Sequence, residues 1–541
     1  LEGLEYHPPL YEVVPAQRGV EGGHRVVLST QYVSEEEGTG CVHMAPEHGR
    51  EDAEVAKENG LPSLVLVDDE GKFTEEAGKY KGLRVFDANE EILKDLERLG
   101  RLYRRETIIH KYPHCWRCKT PLLLKSTRQW LLKISEMRDA LVEANDRIKW
   151  VPEWAGAQRF RNWVENARDW VLSRQRFWGT PLPIWRCDRC GGIEVIGSAK
   201  ELEEKASTKL EDLHRPYIDR VTWPCKCGGV MRRVPDVLDV WLDSGSASWA
   251  SLNYPEDEEV FKRLWPSDFI TEGHDQTRGW FYSLLVLGLI AFDDIPVKTI
   301  LMHGFTLDSE GRGMHKSLGN VIYPEDLLKD YGVDATRIYL LKNTIWEDAP
   351  ISPREIEDVI RDINVITNIY QFYSTYAELD DFKAEEYSIE DVYGKLMEED
   401  RWILSRFEGT LRSVTEDMER YYVHRALRTL LKFAVEDLSR KYIKMVRRRV
   451  WIEEESWEKT SVYITLHHIL EGLAKLLAPF APHFSEYYYL KYVKRFGEGV
   501  EESIHLSTWP TPREEWIDEG LEAVSYTHLR AHETRHDLVC R

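Results

Sequence analysis

Four cysteines in two close pairs have the type and spacing to hold a metal ion. Cys187 and Cys190 lie in CDRC, Cys225 and Cys227 in CKC, and each pair is followed by two glycines. Glycine turns let backbone amides approach sulfur, and four thiolates fill the tetrahedral shell of Zn2+. Such a closed shell leaves no position for substrate, so the pattern predicts a structural zinc that folds a small insert. Cys115 and Cys118 (HCWRC) form a lone pair and read as half of a second zinc site, because a redox pair would need a flanking βαβ pattern. Cys41 sits in a Gly-rich apolar context and is expected to be a buried small hydrophobe.

Other residues suggest charge chemistry. Lys316 and Ser317 lie in a glycine-flanked loop, residues 311–320 (GRGMHKSLGN), after an apolar run and the acidic turn 308–310. A lysine so placed can meet a phosphate as a point charge, although a lone Lys-Ser loop is a weak signal. In EGHDQ, residues 272–276, the carboxylates of Glu272 and Asp275 stand beside Gly273 and Gln276, a grouping suited to an ammonium or to ribose hydroxyls. Asp52 follows Gly49 within GTGCVHMAPEHGRED, with His43 nine residues before it; by spacing alone Asp52 reads as a helix cap. Residues 440–451 (RKYIKMVRRRVW) place Arg440, Lys441, Lys444, Arg447, Arg448 and Arg449 together in an otherwise acidic background. They are candidates for phosphate contacts, with a solvated face paired to neighbouring acids as the alternative.

The elements that position these groups follow from length and pattern. At 541 residues the chain needs several cores. Its 42% hydrophobic and 31% charged content fits a folded, soluble protein, and the longest apolar run, residues 284–292, is about half of a membrane span. The net charge of -22 opposes general nucleic-acid coating, so any polyanion must meet a local basic patch. Paired cysteines in so long a chain favour a reducing compartment, with the cytoplasm as the expected location.

Residues 1–125 mix β-rich runs such as HRVVLSTQYV with an acidic helix near 90–99. Residues 126–350 alternate strand and helix, with DVLDVWLDS and TILMHGFTLDS read as buried strands around an apolar helix at 280–292, a parallel Rossmann-type sheet interrupted by the cysteine insert 186–233. Residues 351–523 carry long amphipathic repeats that predict a helical bundle. Leu1 is not an initiator and the first methionine is Met44, so the chain reads as starting inside a longer frame. The tail 524–541, His- and Arg-rich, with Cys540, resembles a translated sequencing adapter and is set aside as non-native.

Taken together, GTGCVHMAPEHGRED, DVLDVWLDSGSASWA, EGHDQTRGW, GRGMHKSLGN and LLAPFAPHFSE resemble class I aminoacyl-tRNA synthetases of the archaeal isoleucyl type, across residues 1–523. The resemblance implies ATP-dependent activation of isoleucine and its transfer to tRNA(Ile), with ATP and Mg2+ entering the site. It places Lys316 and Ser317 in the family's Lys-Met-Ser-Lys-Ser signature, with Gly313 and His315 departing from the first lysine and the serine. Glu272, Gly273, Asp275 and Gln276 would meet the adenylate, and Trp241 and Trp280 would wall the isoleucine side chain. The N-terminal residues resemble part of the family's hydrolytic editing insert, in which Asp52 would bind the ammonium of mischarged valine and His43 would share the pocket wall. A hydrophobic pocket separates isoleucine from valine by only ~1–3 kcal/mol, the stock illustration of why editing exists. The bundle would be the anticodon-binding domain, and the enzyme a monomer. Neither a His-Ile-Gly-His type segment nor the Thr-rich editing peptide is found, so the chain is expected to be a fragment without adenylation activity of its own. The alternatives are a valyl-tRNA synthetase and a ligase-inactive RNA-binding or editing module.

Overall fold

A computed structural model describes residues 1–34, 39–115, 118–496 and 501–523. The chain divides into two units, Leu1–Trp130 and Leu131–Arg541. The tail 524–541 lies outside the described residues.

The first unit is built on helices α1 (Arg50–Glu58) and α2 (Val85–Arg98), with a small core of Val14, Ala77 and Tyr80. Its expected strands are absent among the described residues, where only isolated bridges such as Glu5 with Arg25 occur. HRVVLSTQYV has strand propensity, but Leu28 is 61% exposed and the run finds no continuous ladder partner. Propensity without pairing does not make a strand.

The second unit opens on a three-stranded parallel sheet. Strand β1 (Lys149–Val151) flanks the central β7 (Val297–His303), whose other neighbour is β6 (Ser267–Gly273). The register runs from Ser267 opposite Val297 to Gly273 opposite His303. Thr299 to Met302 are all buried, as expected of a strand covered on both faces. The apolar helix α4 (Trp280–Phe292) covers it, packing Phe281, Leu285 and Val286 with Trp150, Phe160, Ile300 and Met302.

DVLDVWLDS does not form the expected long strand. Only Val237–Leu238 is extended, and Asp239 then caps helix α3 (Val240–Gly245) by accepting the Trp241 N–H. An aspartate one position before a potential turn outweighs the β-branched residues around it.

Between β1 and β6 lies the insert, an antiparallel sheet of β2 (Ile184–Cys187), β3 (Ile193–Val195), β4 (Trp223–Pro224) and β5 (Val230–Arg233) in the order β3-β2-β5-β4. Short strands β8 (Thr306–Leu307) and β9 (Ala349–Pro350) pair beyond the main sheet. The C-terminal bundle follows: α5 (Pro353–Leu379), α6 (Glu398–Glu419), α7 (Val423–Lys432), α8 (Lys444–Val450), α9 (Trp457–Leu477) and α10 (Pro482–Tyr488). Asp334 and Arg337 tie it to the preceding residues, Asp334 Oδ2 accepting the Phe484 N–H at 2.6 Å and Arg337 donating to the Pro479 carbonyl at 2.9 Å. Among the described residues no helix is long and apolar enough to cross a membrane.

Candidate active site and metal centre

The parallel strands β6 and β7 end side by side, and the residues with chemistry follow those ends. Glu272 and Gly273 close β6, and Asp275 and Gln276 occupy the helical turn His274–Arg278. The signature segment leaves β7 through Gly304, Phe305 and β8. One residue joins both: Asp348 Oδ1 accepts the Phe305 N–H at 2.7 Å and lies 3.2 Å from His274 Nε2. The sequence offered no signal for Asp348, because its role depends on the β8–β9 pairing.

Trp241 on α3 and Trp280 at the start of α4 are linked through Gly279 and Ser244. Gly279 is packed so closely that a Cβ there would lie 3.1 Å from Trp241 Cη2 and 2.7 Å from Gln276 Oε1. Gln276 accepts the Trp280 N–H at 2.9 Å, and Trp280 Nε1 donates to the Ser244 carbonyl on α3 at 2.9 Å. Buried Asp239 fixes α3 from beneath, accepting Trp170 Nε1 at 2.9 Å and Arg174 Nη2 at 2.5 Å. Glu272 and Asp275 are exposed, Asp275 Oδ2 accepting Gln276 Nε2 at 2.9 Å, and Trp241 keeps 39% of its surface open.

Lys316 and Ser317 begin the turn Lys316–Leu318, which Gly319 ends at φ 67°, a left-handed conformation suited to glycine. Both are exposed, and Lys316 has no ion pair among the described residues. Arg312, just before the loop, is committed to Asp308 and Glu310, each at 3.0 Å.

In the insert, the sulfurs of Cys187, Cys190, Cys225 and Cys227 all lie within 4.8 Å of one another. Cys187 Sγ is 3.4 Å from Cys227 Sγ, and Cys190 Sγ 3.8 Å from Cys225 Sγ. The Cys190 N–H, with that of Arg189, lowers the Cys187 thiol to about 6. Cys227 moves the other way, to about 12: the Gly229 amide lowers it, but the neighbouring thiols outweigh that. Four thiols this close cannot all ionise unless a cation sits among them, which is the donor set of Zn2+. Gly229 is required here, since a Cβ would lie 2.8 Å from Cys187 Sγ. Cys115 and Cys118 gather no third ligand among the described residues, and Trp116 and Arg117 lie outside them. The Cys118 thiol is lowered to about 7, chiefly by the Thr120 hydroxyl. Cys41 is exposed, contrary to expectation, in a segment of irregular backbone.

In the first unit, Asp52 sits in the first turn of α1 and reaches back to the Ala45 N–H at 2.8 Å. It therefore pins the GTGCVHMAPEH segment and does not cap its own helix. His43 is exposed, and no hydrogen bond joins it to Asp52 among the described residues.

The basic run 440–451 divides by direction. Arg449 points inward and is no surface cation: its Nη2 reaches Asp400 Oδ2 at 2.7 Å, and Asp400 is fully buried. Lys441 pairs with Asp437 at 2.6 Å and Arg440 with Glu436 at 2.5 Å. Helical spacing turns Arg449 toward the core while Lys444, Arg447 and Arg448 stay exposed.

Comparison with known proteins gives the family. The family described as "tRNA synthetases class I (I, L, M and V)" matches residues 80–352, half of the chain, and "Anticodon-binding domain of tRNA ligase" matches residues 400–538. The isoleucine–tRNA ligase of Methanopyrus kandleri is 52% identical over 96% of this chain and 50% of its own length. That of Archaeoglobus fulgidus is 50% identical over 97% of this chain and 50% of its own. The chain thus spans about half the length of the curated relatives it matches. A Mycobacterium tuberculosis methionyl-tRNA synthetase bound by methionyl-adenylate shares the fold, with TM-score 0.51 and 20% identity over 70% of this chain and 66% of that one. The chain belongs to the class I tRNA synthetases of the I, L, M and V family.

Proposed function

We propose that this chain carries the adenylate-facing and anticodon-facing parts of an isoleucine–tRNA ligase. What supports this reading is that Glu272 ends β6 beside β7 and that Gly279, next to Trp280, approaches Trp241, in a chain about half identical to isoleucine–tRNA ligases.

In the proposed reaction a carboxylate oxygen of isoleucine attacks the α-phosphorus of ATP, pyrophosphate leaves, and the tRNA terminal hydroxyl then displaces AMP. No protein nucleophile is needed, so positioning and charge stabilisation dominate. Trp241 and Trp280 exclude water around the aliphatic side chain. Glu272 and Asp275 offer carboxylates, and Gln276 an amide, to the adenylate's ammonium and hydroxyls. Lys316 supplies positive charge to the leaving phosphates, beside Ser317, and Mg2+ would arrive with ATP and neutralise further phosphate charge. Cys187, Cys190, Cys225 and Cys227 would hold Zn2+ as a structural brace, and Cys115 and Cys118 half of a second site. The exposed Lys444, Arg447 and Arg448 would contact tRNA(Ile), with Arg440 and Lys441 at the edge of that surface. Asp52, with His43, would serve hydrolysis of valyl-tRNA in the first unit.

The reading is tested in a chimera in which this chain replaces the matching half of the Methanopyrus kandleri enzyme. Isoleucine-dependent exchange of pyrophosphate into ATP is expected, and Lys316→Ala should lower it by roughly 100-fold or more, as for loss of a preorganised charge contact. A folded chimera whose exchange does not respond to Lys316→Ala would refute the reading.

A further inference from the structure

The signature loop hangs on one buried carboxylate. Asp308 is 4% exposed, although residues 309–313 around it are exposed. Its Oδ1 accepts the N–H of Glu310 at 3.0 Å and of Arg312 at 2.8 Å, and its Oδ2 accepts Arg312 Nε at 3.0 Å and Asn320 Nδ2 at 2.8 Å. Asn320 closes the far side: its Oδ1 accepts the His315 N–H at 2.9 Å and its Nδ2 also donates to the Gly313 carbonyl at 3.0 Å. The Asn320 bond, followed by the Arg312 amide, holds the Asp308 carboxyl well below the usual carboxylate range. Met314, half-buried, fastens the interior of the loop, its sulfur accepting the Ile322 N–H at 3.3 Å.

A solvated turn has no need of a buried charge, because burial of a carboxylate is costly unless every lone pair is matched. Here four donors match it, and all of them belong to residues 310–320. The backbone is anchored at Gly313 and His315, immediately before Lys316, while the Lys316 ammonium itself is left without an ion pair among the described residues. Arg312 cannot stand in for the lysine that Gly313 replaces, since Asp308 and Glu310 hold its guanidinium. The arrangement fixes the loop and frees one cation.

We infer that Asp308 and Asn320 are positioning residues that set the height and direction of Lys316 for the phosphates of a nucleoside triphosphate. This rests on the proposed role of Lys316 as a phosphate-binding residue. A small displacement of a charged group from its working geometry forfeits much of its effect, so the clamp acts through Lys316 and touches no substrate.

Two measurements on the 541-residue chain test it. Backbone hydrogen exchange reads the clamp without any ligand: the Arg312 amide in Asp308→Asn and the His315 amide in Asn320→Ala should exchange at least tenfold faster, with the bundle amides unchanged. Titration with ATP·Mg2+ and with AMP reads the phosphate role. Asp308→Asn should lower the preference for ATP over AMP by about tenfold, the scale of one charge-assisted contact. Lys316→Ala should do the same, and the double variant should lose no more than either single one. Unchanged amide exchange, or additive losses in the double variant, would overturn the clamp. An unsubstituted chain that binds ATP no better than AMP would instead refute the phosphate role of Lys316, and the exchange rates would still decide whether Asp308 and Asn320 hold the loop.

Discussion

Replacing Arg449 with alanine separates a structural cation from the exposed ones beside it. Its guanidinium donates to both oxygens of Asp400, at 3.0 and 2.7 Å, to the Glu458 carbonyl and to Ser461 Oγ. Asp400 has no exposed surface; without Arg449 it keeps Tyr442 at 2.7 Å, Ser461 at 2.9 Å and the Met397 N–H at 3.3 Å. Breaking a buried pair costs about 3–5 kcal/mol, and the surviving donors place this case at about 3 kcal/mol. For a bundle of this size that lowers the melting temperature by roughly 6–12 °C. Urea unfolding followed at the bundle's helices would measure it, with Arg448→Ala, at an exposed position, shifting stability by less than about 0.5 kcal/mol. The apolar pair Asp400→Leu with Arg449→Met should recover most of the loss. In tRNA binding Arg448→Ala should weaken affinity and flatten its salt dependence. A loss under about 1 kcal/mol for Arg449→Ala, or equal losses for the two single variants, would refute this account of the basic run.

Further outcomes follow from the same geometry. Purified chain should contain zinc, and changing Cys187 and Cys225 to Ser should remove one equivalent and unfold the insert around Trp185 and Trp223; unchanged metal content would remove the zinc assignment. In the first unit, Lys79 and then Tyr80 hold buried Asp95 down to about 2. A carboxyl lower in the folded state than in the unfolded one stabilises above the unfolded value and loses that contribution as pH falls through the folded value. The first unit should therefore weaken between about pH 4 and pH 2, and Asp95→Asn should be destabilised at neutral pH but equal to the parent below about pH 2 in calorimetric unfolding.

Much of the second unit was legible in the sequence because its signals are local. The apolar run of α4, the periodic helices of the bundle and the paired cysteines each declare themselves within a few turns of chain. The close approach of Gly279 to Trp241 could not be read from the motifs, since it depends on α3 meeting α4. Asp308, Asn320 and Asp348 were missed for a related reason: their work is to accept or donate bonds across residues that only the folded loop brings close. Reading HRVVLSTQYV as a strand failed because strand formation is a property of pairs. DVLDVWLDS failed because one capping aspartate redirected the chain. The basic run was visible as composition, yet composition carries no direction, and Arg449 faces Asp400.

The most direct test of the isoleucine-ligase reading is amino-acid selectivity in the chimera that carries this chain. kcat/KM for pyrophosphate exchange would be measured with isoleucine, valine, leucine and methionine, and again after Gly279→Ala, which pushes a methyl toward Trp241. The account predicts that isoleucine leads valine by roughly 10- to 200-fold, the range one methylene allows, and that Gly279→Ala erodes this lead. Equal or greater efficiency with valine, leucine or methionine, or a preference for isoleucine indifferent to Gly279→Ala, would contradict it.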